Sequence, residues 1–323
     1  MKSRVKNTRY FTISMFSVLF MILILFTIAF PWQKDCSGET RGSFFSPDSG
    51  RFQNPTYQVP IPNELAFAGE SVPLQLFDVR ESLDRELQVN TYWHSQTVLL
   101  LKRANRYFPI IEPILKKNGI PDDFKYLAVA ESALSHVVSP SQAVGFWQIL
   151  EATGRELGLE INDEIDERYH IEKSTQAACN FLMKSYKKYG SWTMAAASYN
   201  FGRNGLNKQM ERQKNENYYD MVLGEETGRY VFRILALKCI FEHPEKYGFL
   251  INKNDLYPPI ESFEVKVDST ITSIANFAEH FNTSYKIIKL LNPWLREAYL
   301  TNKDKKTYVI LIPEKGFREG AYQ

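Results

Sequence analysis

The chain has 323 residues, of which 44% are hydrophobic and 24% are charged, and its formal net charge is +2. This length allows one sizeable domain, a smaller one and a linker, with the composition of an ordinary globular protein. Lys and Arg are scattered, and no recognised nucleic-acid motif is present, so nucleic acid is not an expected partner. The cysteines and histidines form no metal-ligand spacing, so neither a metal site nor a cofactor is expected.

The N-terminus predicts a membrane anchor. Four basic residues within residues 1–9 precede an uncharged, apolar stretch over residues 10–32. About 20 apolar residues are enough to span a bilayer, and the basic residues place the N-terminal tail in the cytoplasm. We therefore expect an uncleaved, single-pass transmembrane signal anchor with the rest of the chain exported. Cleavage of the segment as a signal peptide is the alternative, and a lipid anchor on Cys36 is disfavoured because small apolar residues do not precede it.

Two folded regions are predicted after a linker. Residues 33–76 begin with a Gly-, Ser- and Pro-rich stretch that lacks periodicity, and we interpret them as the linker. Residues 77–250 carry successive amphipathic helical patterns ended by glycine or proline, which predicts a mostly α-helical domain. Cys179 and Cys239 lie within these apolar patterns and are predicted to be buried free thiols, with a disulfide between them as the alternative.

The C-terminal region has a different pattern. Over residues 258–314, the strand-like "FEVKV" is followed by two short helical patterns and by a closing strand, "TYVILIP". This order predicts a small α+β module with βααβ topology.

One predicted helix carries a carboxylate on its apolar face. Phe124, Leu127, Ala128, Glu131 and Leu134 recur at spacings of three and four residues, the pattern of a buried stripe. Such a glutamate could simply reach solvent or pair with an arginine. Alternatively, loss of hydration would raise its pKa, so that it holds a proton near neutral pH and acts as a general acid.

Two further stretches suit a sugar ligand. "GFWQIL" places Phe146 and Trp147 beside Gln148, and aromatic faces next to an amide fit the carbon faces and hydroxyls of a sugar ring. "AAASYNFG" ends a helix with Tyr199 and Asn200. Each stretch also has an ordinary structural interpretation, as core aromatics in the first case and as a helix cap in the second.

Taken in order, these stretches resemble a known family. "ES" at residues 131–132, "GFWQI" at 145–149, "ASYNFG" at 197–202 and "ETGRY" at 226–230 are similar to the four successive motifs of Slt-type lytic transglycosylases, in particular the membrane-bound type D group. The resemblance implies a lysozyme-like helical catalytic domain. It continues into the C-terminal module, which resembles a LysM domain.

The resemblance implies roles for individual residues. Glu131 would be the single catalytic acid/base, and Ser132 would orient its carboxyl group. The loop before Gly145 departs from the pattern, because Gln142 stands where the family usually has a small residue. The substrate-binding residues implied by the motifs are Ser132, Phe146, Trp147, Gln148, Tyr199, Asn200 and Tyr230.

The family's reaction explains why one carboxylate would suffice. Lytic transglycosylases cleave the β-1,4 bond between N-acetylmuramic acid and N-acetylglucosamine in peptidoglycan without water, and the C6 hydroxyl of the muramic acid attacks to give a 1,6-anhydro end. Ordinary glycosidases need two carboxyl groups. Glu151 and Glu156 fit none of the motifs and are interpreted as solvated.

The remaining expectations follow from this assignment. Peptidoglycan strands and the membrane are the expected partners, no protein partner is identified, and the catalytic domain is expected in the periplasm of a bacterium. A hydrolase of lysozyme type and a non-catalytic wall-binding protein are the alternatives. The LysM-like module lacks the usual Gly-Asp before its first Thr, so it is either a glycan binder or a structural spacer.

Overall fold

The computed structural model describes residues 57–320. The predicted anchor over residues 10–32 and most of the predicted linker lie outside the described residues. Within residues 57–320, none of the helices combines the length and the apolar character that crossing a bilayer requires.

Helices dominate residues 77–242, as predicted. In chain order the α-helices here are α1 (Phe77–Tyr92), α2 (His94–Lys117), α3 (Lys125–Ser132), α4 (Glu151–Glu156), α5 (Ile171–Tyr189), α6 (Trp192–Phe201), α7 (Arg203–Gln213) and α8 (Glu225–Glu242). Short 3₁₀ turns connect or follow them at Asp122–Phe124, Glu167–Tyr169, Tyr218–Asp220, Pro244–Tyr247 and Lys253–Asp255.

Helix α3 carries the predicted apolar stripe and lies at the centre of the helical domain. Phe124, Leu127 and Ala128 are fully buried, and α3 packs against α2 and α8. Leu134 is also buried, although the helix ends at Ser132. The stripe prediction is therefore confirmed, and it places Glu131 in the last turn of a buried helix.

The prediction that residues 33–76 form a linker is wrong for the last part of this range. Val59, Phe67, Val72 and Leu74 are buried in the core of the helical domain. A small antiparallel hairpin of β1 (Ala66–Phe67) and β2 (Glu70–Ser71) lies in the same stretch. The buried residues of this stretch are separated in sequence by Pro, Asn and Gly, and each enters the core singly. They therefore show neither the helical nor the strand periodicity by which buried residues are recognised in a sequence.

This docked stretch also caps a helix of the helical domain. The carboxylate of Glu70 accepts hydrogen bonds from the backbone N–H groups of Trp192 and Thr193 and from the hydroxyl of Ser191, at the start of α6. A carboxylate at a helix N-terminus satisfies unpaired N–H groups and interacts favourably with the helix dipole.

The C-terminal module has the predicted βααβ order. Strand β3 (Ser262–Val267) pairs antiparallel with β4 (Tyr308–Pro313), and α9 (Ile274–His280) and α10 (Tyr285–Leu291) lie between them in the chain. The fully buried Asn292 exchanges two 2.8 Å hydrogen bonds with the backbone of Leu311, which ties the end of α10 to β4. A short helix, α11 (Phe317–Gly320), follows.

Two buried thiols lie in the helical domain. Cys179 on α5 and Cys239 on α8 are 1% and 5% exposed, and neither takes part in a disulfide among the described residues. The prediction of buried free thiols is confirmed.

Candidate active site

Glu131 lies at the inner wall of a cleft and is only partly exposed. Its carboxylate accepts a hydrogen bond from the hydroxyl of Tyr230 on α8. Desolvation raises the pKa of Glu131 to about 7, and the negative charge of Glu226 acts in the same direction. The Tyr230 hydrogen bond and the positive charge of Arg233 lower the pKa but do not offset the burial. The carboxyl group is therefore poised to exchange a proton near neutral pH.

The chain leaves α3 directly after Ser132, the residue that follows Glu131, through a left-handed turn. Ala133 has φ of 54° and Leu134 has φ of 50°, a conformation that costs a non-glycine residue about 1 kcal/mol. The turn is held by burial of the Leu134 side chain and by Arg103, whose Nη1 donates a 2.9 Å hydrogen bond to the carbonyl of Ala133. These contacts fix the end of the helix and, with it, the position of the Glu131 side chain.

The cleft brings together residues that are distant in the chain. It has a volume of about 630 Å³. Its lining includes residues from α3, from the loop before α4, from α6 and from the start of α8, among them Glu131, Gln148, Tyr199, Asn200 and Glu226. The structure thus places four of the predicted site residues around one cavity, with Tyr230 hydrogen-bonded to the carboxylate in its wall.

Gln148 is held in a fixed orientation by its own loop. Its backbone has φ of 44°, and its Nε2 donates hydrogen bonds of 2.8 Å to the carbonyl of Gly145 and 3.1 Å to that of Val137. The amide nitrogen has two N–H groups, and these two hydrogen bonds use both of them. The oxygen of this side chain, an acceptor, is therefore the amide atom left available to a ligand in the cleft.

Tyr199 and Asn200 are also anchored. The hydroxyl of Tyr199 donates a 2.7 Å hydrogen bond to the carbonyl of Trp147, which joins α6 to the loop that carries Gln148. Asn200 donates from Nδ2 to Glu226 (3.1 Å) and accepts from the hydroxyl of Thr227 (2.8 Å). These bonds set the orientation of the Asn200 amide.

Three of the predicted substrate contacts need correction. Phe146 and Trp147 are 1% and 0% exposed, and Trp147 donates its indole N–H to Thr175, so both belong to the core rather than to a stacking platform. Among the described residues, the hydroxyl of Ser132 bonds to the carbonyls of Ala128 and Phe146 and not to the Glu131 carboxyl. These side chains support the cleft from behind.

The other carboxylates behave as predicted, with one addition. Glu151 and Glu156 are exposed and pair with Arg155 and Lys184 respectively, so their solvated interpretation is confirmed. Glu226 was noted in the sequence only as part of a motif, yet its carboxylate lines the cleft and bonds to Asn200. In the sequence, the one indication of a role for Glu226 was its position in the fourth motif, "ETGRY", three residues before Arg229.

A buried ion pair behind the cleft was not predicted. The side chains of Arg168 and Asp166 are 2.7 Å apart and nearly fully buried. The guanidinium of Arg168 also donates 3.3 Å hydrogen bonds to the carbonyls of Gln142 and Ile149, at two points of the loop that carries Gln148. Gln142 has φ of 62°, which explains why a small residue such as glycine would suit this position.

We predict that Tyr230→Phe raises the pKa of Glu131 above about 7, because it removes a hydrogen bond that favours the ionised carboxylate. Carbon NMR titration of the Glu131 carboxyl measures this directly. Tyr199→Phe is the matched control, since the Tyr199 hydroxyl bonds to a backbone carbonyl instead. An equal shift in the two variants, or none in Tyr230→Phe, would contradict the assigned hydrogen bond.

The comparisons with known proteins agree with this geometry. Residues 108–222 match the family described as "Transglycosylase SLT domain", and residues 263–316 match "Soluble lytic transglycosylase C-terminal LysM-like domain". Two curated relatives, both named "Membrane-bound lytic murein transglycosylase D", come from Escherichia coli strain K12 and from Escherichia coli O6:H1. Each is 28% identical over 288 residues, which is 86% of this chain and 62% of the relative.

These matches cover the cleft and the C-terminal module separately. The first includes Glu131, Gln148, Tyr199 and Asn200, and the second covers both helices and both strands of the βααβ unit except Ser262, the first residue of β3. The chain spans less than two thirds of the length of the relatives it matches. Residues 108–222 are therefore similar to a transglycosylase SLT domain, and residues 263–316 are similar to a LysM-like domain of the kind named for the C-terminus of soluble lytic transglycosylases.

Proposed function

We propose that the protein is a peptidoglycan lytic transglycosylase that cleaves the β-1,4 bond between N-acetylmuramic acid and N-acetylglucosamine and leaves 1,6-anhydro ends. The observation that carries the proposal is the Glu131 carboxyl, whose pKa is raised to about 7 in the wall of the cleft of an SLT domain. The names of the relatives, which refer to lytic murein transglycosylase, support the substrate class.

In the proposed mechanism one carboxyl group acts twice. Protonated Glu131 donates its proton to the glycosidic oxygen as the bond breaks, and the resulting carboxylate then accepts the proton of the C6 hydroxyl. That hydroxyl attacks C1 of the same sugar, so the nucleophile is already in place and no water is consumed. A pKa near the working pH suits a group that must both give and take a proton. Tyr230 stabilises the carboxylate stage through its hydrogen bond.

We propose binding roles for the groups around this carboxyl. The Gln148 oxygen would accept a hydrogen bond from an acetamido N–H or a sugar hydroxyl, since both of its own N–H groups are used. Tyr199 would form part of the wall, and Asn200 would contact the sugar beside the Glu226 carboxylate. Phe146, Trp147 and Ser132 are proposed to act only by supporting these groups.

We also propose the domain boundaries and the location. Residues 77–250, with the docked stretch that precedes them, would form the lysozyme-like catalytic domain, and residues 258–314 the LysM-like domain. Residues 10–32 would anchor the protein in the bacterial inner membrane, with residues 1–9 in the cytoplasm and the catalytic domain in the periplasm. The apolar sequence of that segment and the words "membrane-bound" in the relatives' names support this location.

A hydrolase on the same scaffold is the second candidate, because Glu226 lines the same cleft as Glu131. A hydrolase needs a second carboxylate that activates water or attacks the sugar. Glu226 is exposed and accepts a hydrogen bond from Asn200, and its negative charge adds to the larger effect of burial in raising the pKa of Glu131. We propose that Glu226 raises the pKa of Glu131 and orients Asn200, rather than acting as the second carboxylate of a hydrolase. The reaction product distinguishes these two roles.

Mass spectrometry of peptidoglycan digested with the purified protein tests the proposal. We expect products lighter by one water, with 1,6-anhydro ends, from both the wild type and Glu226→Gln, although loss of the Glu226 charge should move the activity of the variant to lower pH. Reducing ends in the wild-type digest, together with loss of activity in Glu226→Gln, would establish hydrolysis instead. A folded protein that binds the glycan without cleaving it would contradict both enzymatic candidates.

A further inference from the structure

The LysM-like module contacts the segment that holds the cleft in shape. We call residues 160–170 the bridging segment and residues 137–149 the cleft loop. The backbone N–H of Asp166 donates a 2.9 Å hydrogen bond to the carbonyl of Trp294, and the N–H of Arg296 donates a 2.7 Å bond to that of Glu164. The bridging segment is thus joined to the module by main-chain hydrogen bonds, which do not depend on side-chain rotamers.

Side chains extend this contact. The guanidinium of Arg296 lies 4.1 Å from the centre of the Tyr169 ring, and Trp294 stacks on His170 with ring centres 5.7 Å apart. Glu160 receives hydrogen bonds from Tyr308 of strand β4. Apolar, cationic and polar contacts therefore all join the module to the bridging segment.

The bridging segment in turn holds the cleft loop. Arg168, fixed by its buried ion pair with Asp166, bonds to the carbonyls of Gln142 and Ile149. The same Asp166 donates its backbone N–H to Trp294 of the module. Asp166 therefore connects the module to Arg168, which in turn holds the cleft loop.

A second connection is direct. Val144 of the cleft loop is 4% exposed and belongs to the hydrophobic cluster formed by the core of the module, together with Ile165 and Tyr169. Its backbone N–H and C=O exchange 3.1 Å hydrogen bonds with Ile149, which close the turn that carries Gln148. The residue that closes the turn thus packs into the core of the LysM-like module.

From these contacts we propose that the LysM-like module is a structural part of the cleft: it holds the cleft loop through Val144 and the bridging segment, and so positions Gln148, whatever glycan the module itself binds. A module that served only as a tether would need none of the shared core. The role in turnover rests on the function proposed above, whereas the structural coupling does not.

Hydrogen exchange of the full chain tests the coupling without any substrate. We expect Ile165→Ala, which removes buried contacts to the module, to reduce protection of the Val144 and Ile149 amides about tenfold or more. Arg296→Ala, a milder variant on the module side, should lower it in the same direction and covers the case in which Ile165→Ala fails to fold. Lys286→Ala, which removes an exposed cation elsewhere on the module, is the matched control and should leave protection unchanged.

Activity provides the second readout, measured on short soluble peptidoglycan fragments and on intact sacculi. If the module positions the cleft, the Ile165→Ala and Arg296→Ala variants lose kcat/KM on both substrates. If it only tethers the enzyme, the loss is confined to sacculi, and loop protection stays at the wild-type level; that combination would overturn the inference. A wild-type protein inactive on both substrates would refute the proposed function, while the exchange result would still decide the coupling.

Discussion

Replacing Glu131 with glutamine is expected to lower turnover of peptidoglycan by about 10²- to 10⁴-fold, the usual contribution of a general acid–base group. Glutamine keeps the shape of the side chain and still accepts the hydrogen bond from Tyr230, but its amide has no acidic proton to transfer to the glycosidic oxygen. Release of anhydro fragments under substrate-saturating conditions measures the effect, and binding of fragments by the variant should stay close to that of the wild type. Turnover like that of the wild type would exclude Glu131 as the acid/base.

The stability of Glu131→Gln provides a control, because the direction of its expected difference from the wild type is known. The pKa of Glu131 is about 7 in the folded chain against 4.5 for an ordinary glutamate, so the native state binds the proton more tightly. The wild type should therefore lose stability as pH rises from about 4.5 to about 7, by up to about 3 kcal/mol. Glu131→Gln lacks this loss and should unfold at a higher denaturant concentration than the wild type above pH 7. A less stable variant would show that the lost activity reflects misfolding.

Gly145→Ala is expected to have the largest effect on folding. Gly145 has φ of +77°, and a Cβ there would lie 2.3 Å from the backbone oxygen of Arg168. The oxygen belongs to the backbone of Arg168 and the Cβ is fixed directly to the backbone of residue 145, so relief of the clash requires the cleft loop to move away from Arg168. We expect destabilisation of about 3 kcal/mol or more, since a left-handed conformation and overpacking each contribute. Denaturant unfolding measures it.

Gly158→Ala separates the two contributions. Gly158 has φ of +87°, but a Cβ there would have no neighbour within 4 Å. This variant should therefore show only the cost of the left-handed backbone, about 1 kcal/mol. If the two alanine variants were equally stable, the close approach of Gly145 to Arg168 would have no energetic consequence.

The parts of the site that could be predicted are those with a local pattern. Glu131 stood out because a charge interrupted an apolar helical period, and burial of that stripe follows from the same period. Gln148, Tyr199 and Tyr230 have no local signal that would bring them together, because they belong to separate elements. Their grouping was predicted from the resemblance of four ordered motifs to one family.

The errors have equally specific causes. Phe146 and Trp147 next to an amide look the same in sequence whether they face a sugar or the core, and burial on both sides is decided by distant helices. The docked stretch around Phe67 has no period because single residues enter the core between turns. The Asp166–Arg168 pair could not be recognised, since its importance depends on the loop carbonyls that it meets in the fold.

The two thiols of the helical domain have a practical consequence for handling the protein. Burial raises the pKa of Cys179 to about 12 and that of Cys239 to about 11, so reactive thiolate at neutral pH is scarce, on the order of one molecule in 10⁴ or fewer. The native fold therefore shields both sulfurs from oxidants and alkylating reagents. Unfolding removes that shield, so maleimide labelling of Cys179 and Cys239 should report opening of the helical domain, and refolding should require a reductant.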